Sequence, residues 1–373
     1  MSKDPALLAA HARRAMGDLQ GAMAAAQTAL VGPNDIEALD VLGMIAHDRL
    51  NLAAAEDYFR RAIEKAPSFA EAHFHLSLCL LLRGEYGEGW TEFAWRTRIE
   101  GPANFVNYDF GIPRWTGQSV AGSRVLLHAE QGHGDTIQFV RFAESLAGEG
   151  AQVDLFCHDP LVSLLGRVPG IRSATSNLSE RPTHHFHAPI GDLLPRYLPT
   201  PESVHWRHPY LSPKVDVRAK WDAALEALPR PRVGIVWRGN PLHINDRNRS
   251  VPESEIRQLL SDRVAFINLQ VPTSPLDERN VTDIGHLIHS WEDTCAIVSQ
   301  LDLVLTVDTA VAHLAGASGK RVCVLIPYCP DWRWRLDGAQ TPWYPSMQLF
   351  RQTTPGDWSS VLNRVRQEVI ASL

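Results

Sequence analysis

Apolar positions between residues 2 and 100 recur at helical spacing in paired segments, and the pairs themselves repeat. Pro33 and Pro67 stand 34 residues apart, with Leu42-Gly43, Ala55, Phe59 and Ala62 between them. Small residues at such fixed positions let two helices of a hairpin approach closely, and large ones fill the groove of the next hairpin. One unit therefore spans 36–68, and a second begins near Ala70 and keeps Leu76, Gly84, Tyr86 and Phe93. Residues 2–33 form a worn, Ala-rich unit that lacks the large residue of the second helix. The spacing resembles that of tetratricopeptide repeats, so residues 1–100 are predicted to be such an array. Arrays of this kind bind a peptide or protein in their concave face, or simply cap a neighbouring domain. Pro102, Pro113 and several glycines then break the helical period, making 101–122 a connector whose many aromatics favour a docked segment.

From Ser123 onward the pattern switches to short apolar runs alternating with helical segments. RVLLHAEQ, a helix through 136–150, QVDLFCH and a helix over 160–170 make a βαβα series, with short strands near Ser173 and His185. After a linking helix over 214–232, a second series starts at RVGIVW. It continues through a helix over 252–261, AFINLQ, a helix over 292–301, DLVLTV, a helix over 310–319 and RVCVLIP. Parallel sheets need such crossovers, so the pattern predicts two Rossmann-like domains facing a cleft, at 123–230 and 231–350, and a C-terminal helix over 351–373.

Ligands of such sheets bind at the carboxyl ends of the strands. Three polar or Gly-containing junctions fall there, at 130–136, 237–250 and 307–313. The stretch from Asp302 to Gly319 is the most telling, because its apolar strand runs straight into an Ala-rich helix that Asp308 or Thr309 can cap. The first N–H groups of such a helix, with the positive end of its dipole behind them, suit a phosphate.

Composition narrows the partners. The 373 residues carry 36 Lys plus Arg against 42 Asp plus Glu, a formal charge of -6 that gives no support to nucleic-acid binding. The five cysteines are odd in number and scattered through apolar runs, as in a reduced cytoplasmic protein. No apolar run is long enough to span a membrane or to serve as a secretion signal.

Four stretches in order, HAEQGHGDTIQF, WRGN followed by NDRNRSVP, TVDTAVAHLAGASG and PDWRWRLDGAQTPWYPSMQLFRQ, resemble bacterial tetratricopeptide-repeat glycosyltransferases. Their catalytic region is similar to glycosyltransferase family 9, the heptosyltransferases. The resemblance covers essentially the whole chain. It implies a GT-B fold, an acceptor on the first Rossmann-like half, a nucleotide-sugar donor on the second, and no metal cofactor. Consistent with the last point, no Asp-x-Asp pair occurs anywhere in the sequence.

On this reading Asp135 matches the family's Gly-Asp general base and Glu130 is the alternative, while Gly132, Gly134 and His187 lie on the acceptor side. Asp135 would equally cap the helix that follows it. The donor side comprises Trp237, Asn240, Arg247, Arg249, Gln270, Asp308, Thr309 and His313. Arginine forks suit a diphosphate and offset leaving-group charge, although a solvated basic loop has the same composition. His313, on an Ala-rich helix, fits core packing as well as a ligand. The cluster His184, His185 and His187 lacks a matching Cys or carboxylate pattern and fits a strand end better than zinc. Trp332, Trp334, Trp343 and Tyr344 either stack on a base or sugar or pin their own loop. The implied activity is sugar transfer in the cytoplasm, with the repeats favouring a protein acceptor such as flagellin. The alternatives are lipopolysaccharide or other glycan transfer, sugar-nucleotide epimerisation, and a non-catalytic repeat scaffold.

Overall fold

Helical hairpins form where the 34-residue period puts them. The computed structural model describes residues 4–100, 108–178, 183–204, 208–243 and 245–373, so 101–107 of the connector and Ile244 of the 237–250 junction lie outside the described residues. Six helices come first: α1 (Pro5–Met16), α2 (Leu19–Ala29), α3 (Asp35–Asp48), α4 (Leu52–Lys65), α5 (Ala70–Arg83) and α6 (Tyr86–Phe93). Side chains close their starts: Asp4 accepts from the Ala6 and Leu7 amides, Asp18 from Gly21 and Asn51 from Ala54. Gly84 ends α5 with φ 86°, a left-handed conformation that side chains resist. The small-to-large pairing is literal. A Cβ on Gly43 would lie 2.4 Å from the Phe59 ring, and one on Gly89 would lie 2.8 Å from Leu81.

The chain divides into two compact units, and the helical one also takes in Leu198–Ser203 and Cys329–Asp337. Within it Trp90 donates its indole N–H to the Leu198 carbonyl at 2.6 Å. Trp332 packs edge-on against Trp90 and Tyr86, and the Cys329 thiol lies 3.4 Å from the His47 carbonyl. No pattern along the chain foretells that these two distant segments join the helices.

The second unit holds two sheets, both wholly parallel. The first contains β1 (Arg124–His128), β2 (Gln152–Phe156), β3 (Ile171–Thr175) and β4 (Phe186–Pro189) in the order β3-β2-β1-β4. Its helices are α7 (His133–Phe139), α8 (Phe142–Gly148), α9 (Asp159–Leu165) and a short α10 (Leu194–Tyr197). The linking helix is α11 (Val215–Leu225), shorter than predicted because the chain meets Pro229 and Pro231.

In the second sheet β5 (Arg232–Val236) precedes the short helices α12 (Asp246–Arg249) and α13 (Glu253–Ile256), then β6 (Ala265–Asn268) and β7 (Val281–Asp283). After these come α14 (Trp291–Ser299), β8 (Leu303–Val307), α15 (Ala310–Ala317), β9 (Val322–Ile326), β10 (Met347–Arg351) and α16 (Trp358–Glu368). The order is β10-β9-β8-β5-β6-β7. Strands β5, β8 and β9 are buried along their whole length, the signature of a sheet covered on both faces. The edge strands β7 and β10 are additions to the predicted set: three half-buried residues leave no apolar run, and β10 hides in the tail motif. In α16, Trp358, Val361, Leu362 and Val365 fall on one face and close the core over Phe266 and Phe350. All five cysteines are free and buried. Two Rossmann-like sheets that follow the helical repeats along the chain give the architecture of a GT-B fold with N-terminal repeats.

Candidate active site

The carboxyl ends of β1 and β8 feed two helices whose first turns touch. A Cβ on Gly134, in α7, would meet His313 Cδ2 at 3.2 Å and the Ala310 Cα of α15 at 3.4 Å. The glycine thus permits close approach of two strand-end junctions that lie far apart in the chain. Thr309 is the extended N-cap of α15 and makes no side-chain cap bond; its hydroxyl instead lies 3.1 Å from that of Thr306.

Asp135 sits at the third position of α7 and its Oδ2 accepts from the Gly132 amide at 3.2 Å. The carboxylate that makes this cap is half-buried. Glu130 is 3% exposed and its Oε1 accepts from the Gly191 amide at 2.9 Å, an anchor for the turn after β4. Of the two acids, Asp135 is the more exposed.

Beside Asp135, His133 accepts the Trp291 indole N–H at 3.1 Å and packs edge-on against His158. Burial pushes His133 down to about 4, with His158 adding to the effect, so the ring is neutral at pH 7. Trp291 starts α14 of the second sheet. Its neighbour Glu292 receives Ser163 and Arg167 of the first, at 2.8 and 2.5 Å, so the two halves are pinned here. Nothing in the sequence links residues so far apart, and His133 carries only the weak signal of lying between two glycines.

Of the residues expected on the donor side, Arg249 is the most firmly held cation. Its side chain is 12% exposed, its Nε binds Asp246 Oδ1 at 3.1 Å and its Nη1 donates to the Asp308 carbonyl at 2.9 Å. It thereby ties the 237–250 junction to the start of α15. Gly239 makes room for it, since a Cβ there would fall 2.4 Å from Nη2. Arg247 is exposed, and its Nη2 donates to Asn248 Oδ1 at 3.2 Å. Asn240 turns its own loop by accepting from Leu242.

Three other residues are engaged elsewhere. Trp237 is 0% exposed inside the apolar core of the second sheet, so packing rather than ligand contact explains it. Gln270 clamps the Arg238 backbone, accepting from its amide and donating to its carbonyl, each at 3.1 Å. His187 is buried with Nδ1 3.2 Å from His128 Nε2 and its ring against Phe110. Burial and this partner push His128 down to about 3.

His184, His185 and His187 diverge to different partners: Asp154 Oδ2, the Arg124 amide and His128. They form no common ligand set. Among the described residues the one close grouping of metal-ligand types is His47, Asp48 and Cys329, in the helical unit. There the Asp48 carboxylate takes Arg14 at 2.6 and 3.0 Å and the thiol faces the His47 carbonyl. Internal partners already account for that grouping. Trp332, Trp334, Trp343 and Tyr344 are all at most 5% exposed, so they pack rather than offer a stacking face.

No protein-family model matches the chain. It is 28% identical over 337 residues to Protein FlbA of Caulobacter vibrioides, an alignment covering 79% of this chain; the chain spans about half, 54%, of that relative. Among solved structures it is similar to a family 9 glycosyl transferase from Veillonella parvula, at 8% identity and TM-score 0.45, covering 68% of this chain and 97% of that one. It is also similar to E. coli ADP-heptose lipopolysaccharide heptosyltransferase II, at 12% identity and TM-score 0.42, covering 66% and 98%. An O-GlcNAc transferase mutant of Thermobaculum terrenum aligns over 98% of this chain and 92% of its own, at 15% identity and TM-score 0.27. Identities and scores this low leave the architecture resting on the two sheets themselves.

Proposed function

We propose that this chain is a metal-independent glycosyltransferase that moves a sugar from a nucleotide donor to an acceptor. The observation that carries the reading is the meeting of the α7 and α15 first turns, with Asp135 on one and Arg249 behind the other. A transferase of this kind needs a proton acceptor for the incoming hydroxyl and positive potential for the departing diphosphate. Asp135 serves as the base. The N–H groups at the start of α15 and the arginine-bearing 237–250 junction receive the diphosphate.

The acceptor is a protein recruited by the repeats, in the cytoplasm. An attached array raises the local concentration of whatever it binds, which a small glycan acceptor would not need. One observation bears on where it binds: Cys329–Asp337 already covers parts of α3, α5 and α6, so a partner uses the remaining face of the array.

Thermal melts with a panel of nucleoside diphosphates and nucleotide sugars test the donor half. A true donor at about a hundred times its Kd should add roughly 2.7 kcal/mol of stability. A panel without any stabilising nucleotide would leave the scaffold reading in its place.

A further inference from the structure

His133 opens α7, the helix that follows β1, and His158 is the N-cap of α9, the helix that follows the neighbouring strand β2. Both rings therefore stand at the carboxyl edge of the first sheet, where parallel sheets take their ligands. Their centroids are 4.7 Å apart with the planes at 70°, and the Trp291 ring of α14 lies 5.7 Å from His133 at 82°. Three elements thus hold one imidazole from different directions, and the proposed mechanism gives that imidazole no task.

The bond from Trp291 decides which nitrogen of His133 carries hydrogen. An indole nitrogen can only donate, so His133 Nδ1, 3.1 Å away, can only accept. A protonated imidazole has hydrogen on both nitrogens and could not accept; burial opposes that form, pushing the group down to about 4. The neutral ring then carries its one hydrogen on Nε2. Among the described residues nothing takes that hydrogen, which leaves a donor on one edge of a half-buried ring. Charge narrows what the donor can meet. Burial lowers His158 as well, and the Asp135 carboxylate opposes that shift, so the charge felt at the pair is negative. An uncharged N–H beside negative charge disfavours a phosphate and suits a hydroxyl oxygen, which accepts a hydrogen bond without adding charge.

We infer that Trp291 is a positioning residue that fixes His133 as an Nε2–H donor, and that this donor binds a hydroxyl group of an uncharged ligand at the carboxyl ends of β1 and β2. That the ligand is the acceptor of sugar transfer rests on the proposed function, whereas the donor state of His133 does not.

The test uses the full chain labelled with 15N-histidine, with the His133 signals identified by their loss in His133→Gln. Long-range proton–nitrogen spectra at neutral pH should show His133 protonated at Nε2 and bare at Nδ1. Trp291→Phe keeps a ring beside His133 but takes away the indole N–H, so the Nδ1 signal should move, with the fold checked by its melt. Glycerol is the hydroxyl probe and inorganic phosphate the charged one. Glycerol should move the His133 Nε2 signal by more than it moves those of the exposed His286, and by more than phosphate does. A wild-type His133 protonated at Nδ1 overturns the inference without any variant, and so does a folded Trp291→Phe protein with an unmoved Nδ1 signal. An Nε2 signal that answers phosphate more than glycerol, or neither, overturns the hydroxyl assignment. If the Nε2–H form and the glycerol response both appear while no nucleotide stabilises the chain, the inference stands and the transferase reading fails.

Discussion

Gly134→Ala adds one methyl group where the two halves of the α/β unit meet. The backbone at 134 has no left-handed φ, and alanine is the better helix former by up to about 1 kcal/mol. Local propensity therefore favours the substitution. Against it, the new carbon would stand 3.2 Å from His313 Cδ2 and 3.4 Å from the Ala310 Cα, where carbon atoms pack comfortably at about 3.5–4.0 Å. Neither neighbour yields readily: Ala310 Cα is backbone, and the His313 ring is held by the Tyr344 hydroxyl at 3.2 Å. The first turns of α7 and α15 must part by a few tenths of an ångström. The two energies nearly cancel, so the melting temperature should stay within about 4 °C of wild type. Positioning is less forgiving, since a displacement of about 1 Å can cost a hundredfold in rate, and a third of that should lower kcat/KM for sugar transfer by about three- to tenfold. Gly132→Ala is the control, because its Cβ would meet only Asp135 Oδ2, at 3.4 Å. Equal melts and equal kcat/KM for Gly134→Ala and wild type would show that this contact does not set the spacing of the two turns; so would a collapse in stability that accounts for the whole loss of activity.

Asp135→Asn keeps an oxygen for the Gly132 amide but removes the proton acceptor, so melts and nucleotide affinity should hold while transfer falls by about two to four orders of magnitude. Glu130→Gln, by contrast, should show its effect in the melt, because Gly191 loses a charged partner. In the repeats, Gly43→Ala should destabilise by about 1–3 kcal/mol against the Phe59 ring. Gly87→Ala, whose Cβ meets nothing within 4 Å in α6, should stabilise by about 0.5–1 kcal/mol in a denaturant titration. His128 at about 3 and His133 at about 4 both lie below the ordinary 6.5, so as pH falls the unfolded chain takes up protons first. Their contribution is complete above about pH 6.5 and is lost toward about pH 4 for His133 and about pH 3 for His128, by up to about 1.4 kcal/mol per pH unit for each ring. Replacing His128 with Gln should flatten that slope in pH-dependent melts.

What could be read along the chain was local. The repeat followed from Gly43 and Phe59, whose sizes complement one another in the structure, and the two sheets from apolar runs such as Leu303–Val307. The junctions at Gly134 and Thr309 were legible for the same reason: strand, turn and helix start follow one another within a dozen residues. Trp237 and Gln270 sit at the right strand ends, yet whether a side chain there faces a cleft or the core depends on packing with distant elements. Trp237 turns into the core, and Gln270 spends both amide atoms on the Arg238 backbone. Trp291, Arg141 and Tyr344 come together from segments far apart in the chain, as in the Arg141 bond to the Trp343 carbonyl across a separation of 202. No periodicity carries that information. The same holds for Cys329–Asp337, whose place among the repeat helices depends on Trp332 meeting Trp90.

On the proposed function, the start of α15 and the 237–250 junction hold the diphosphate of a sugar donor. A crystal structure of the chain with a bound nucleoside diphosphate tests it most directly. Phosphate oxygens should lie within hydrogen-bond distance of the backbone N–H groups of Ala310 and Val311, with Arg249 or Arg247 beside them and Asp135 facing the vacant sugar position. A nucleotide found only on the β1–β4 sheet, or bound to the repeats, would contradict it.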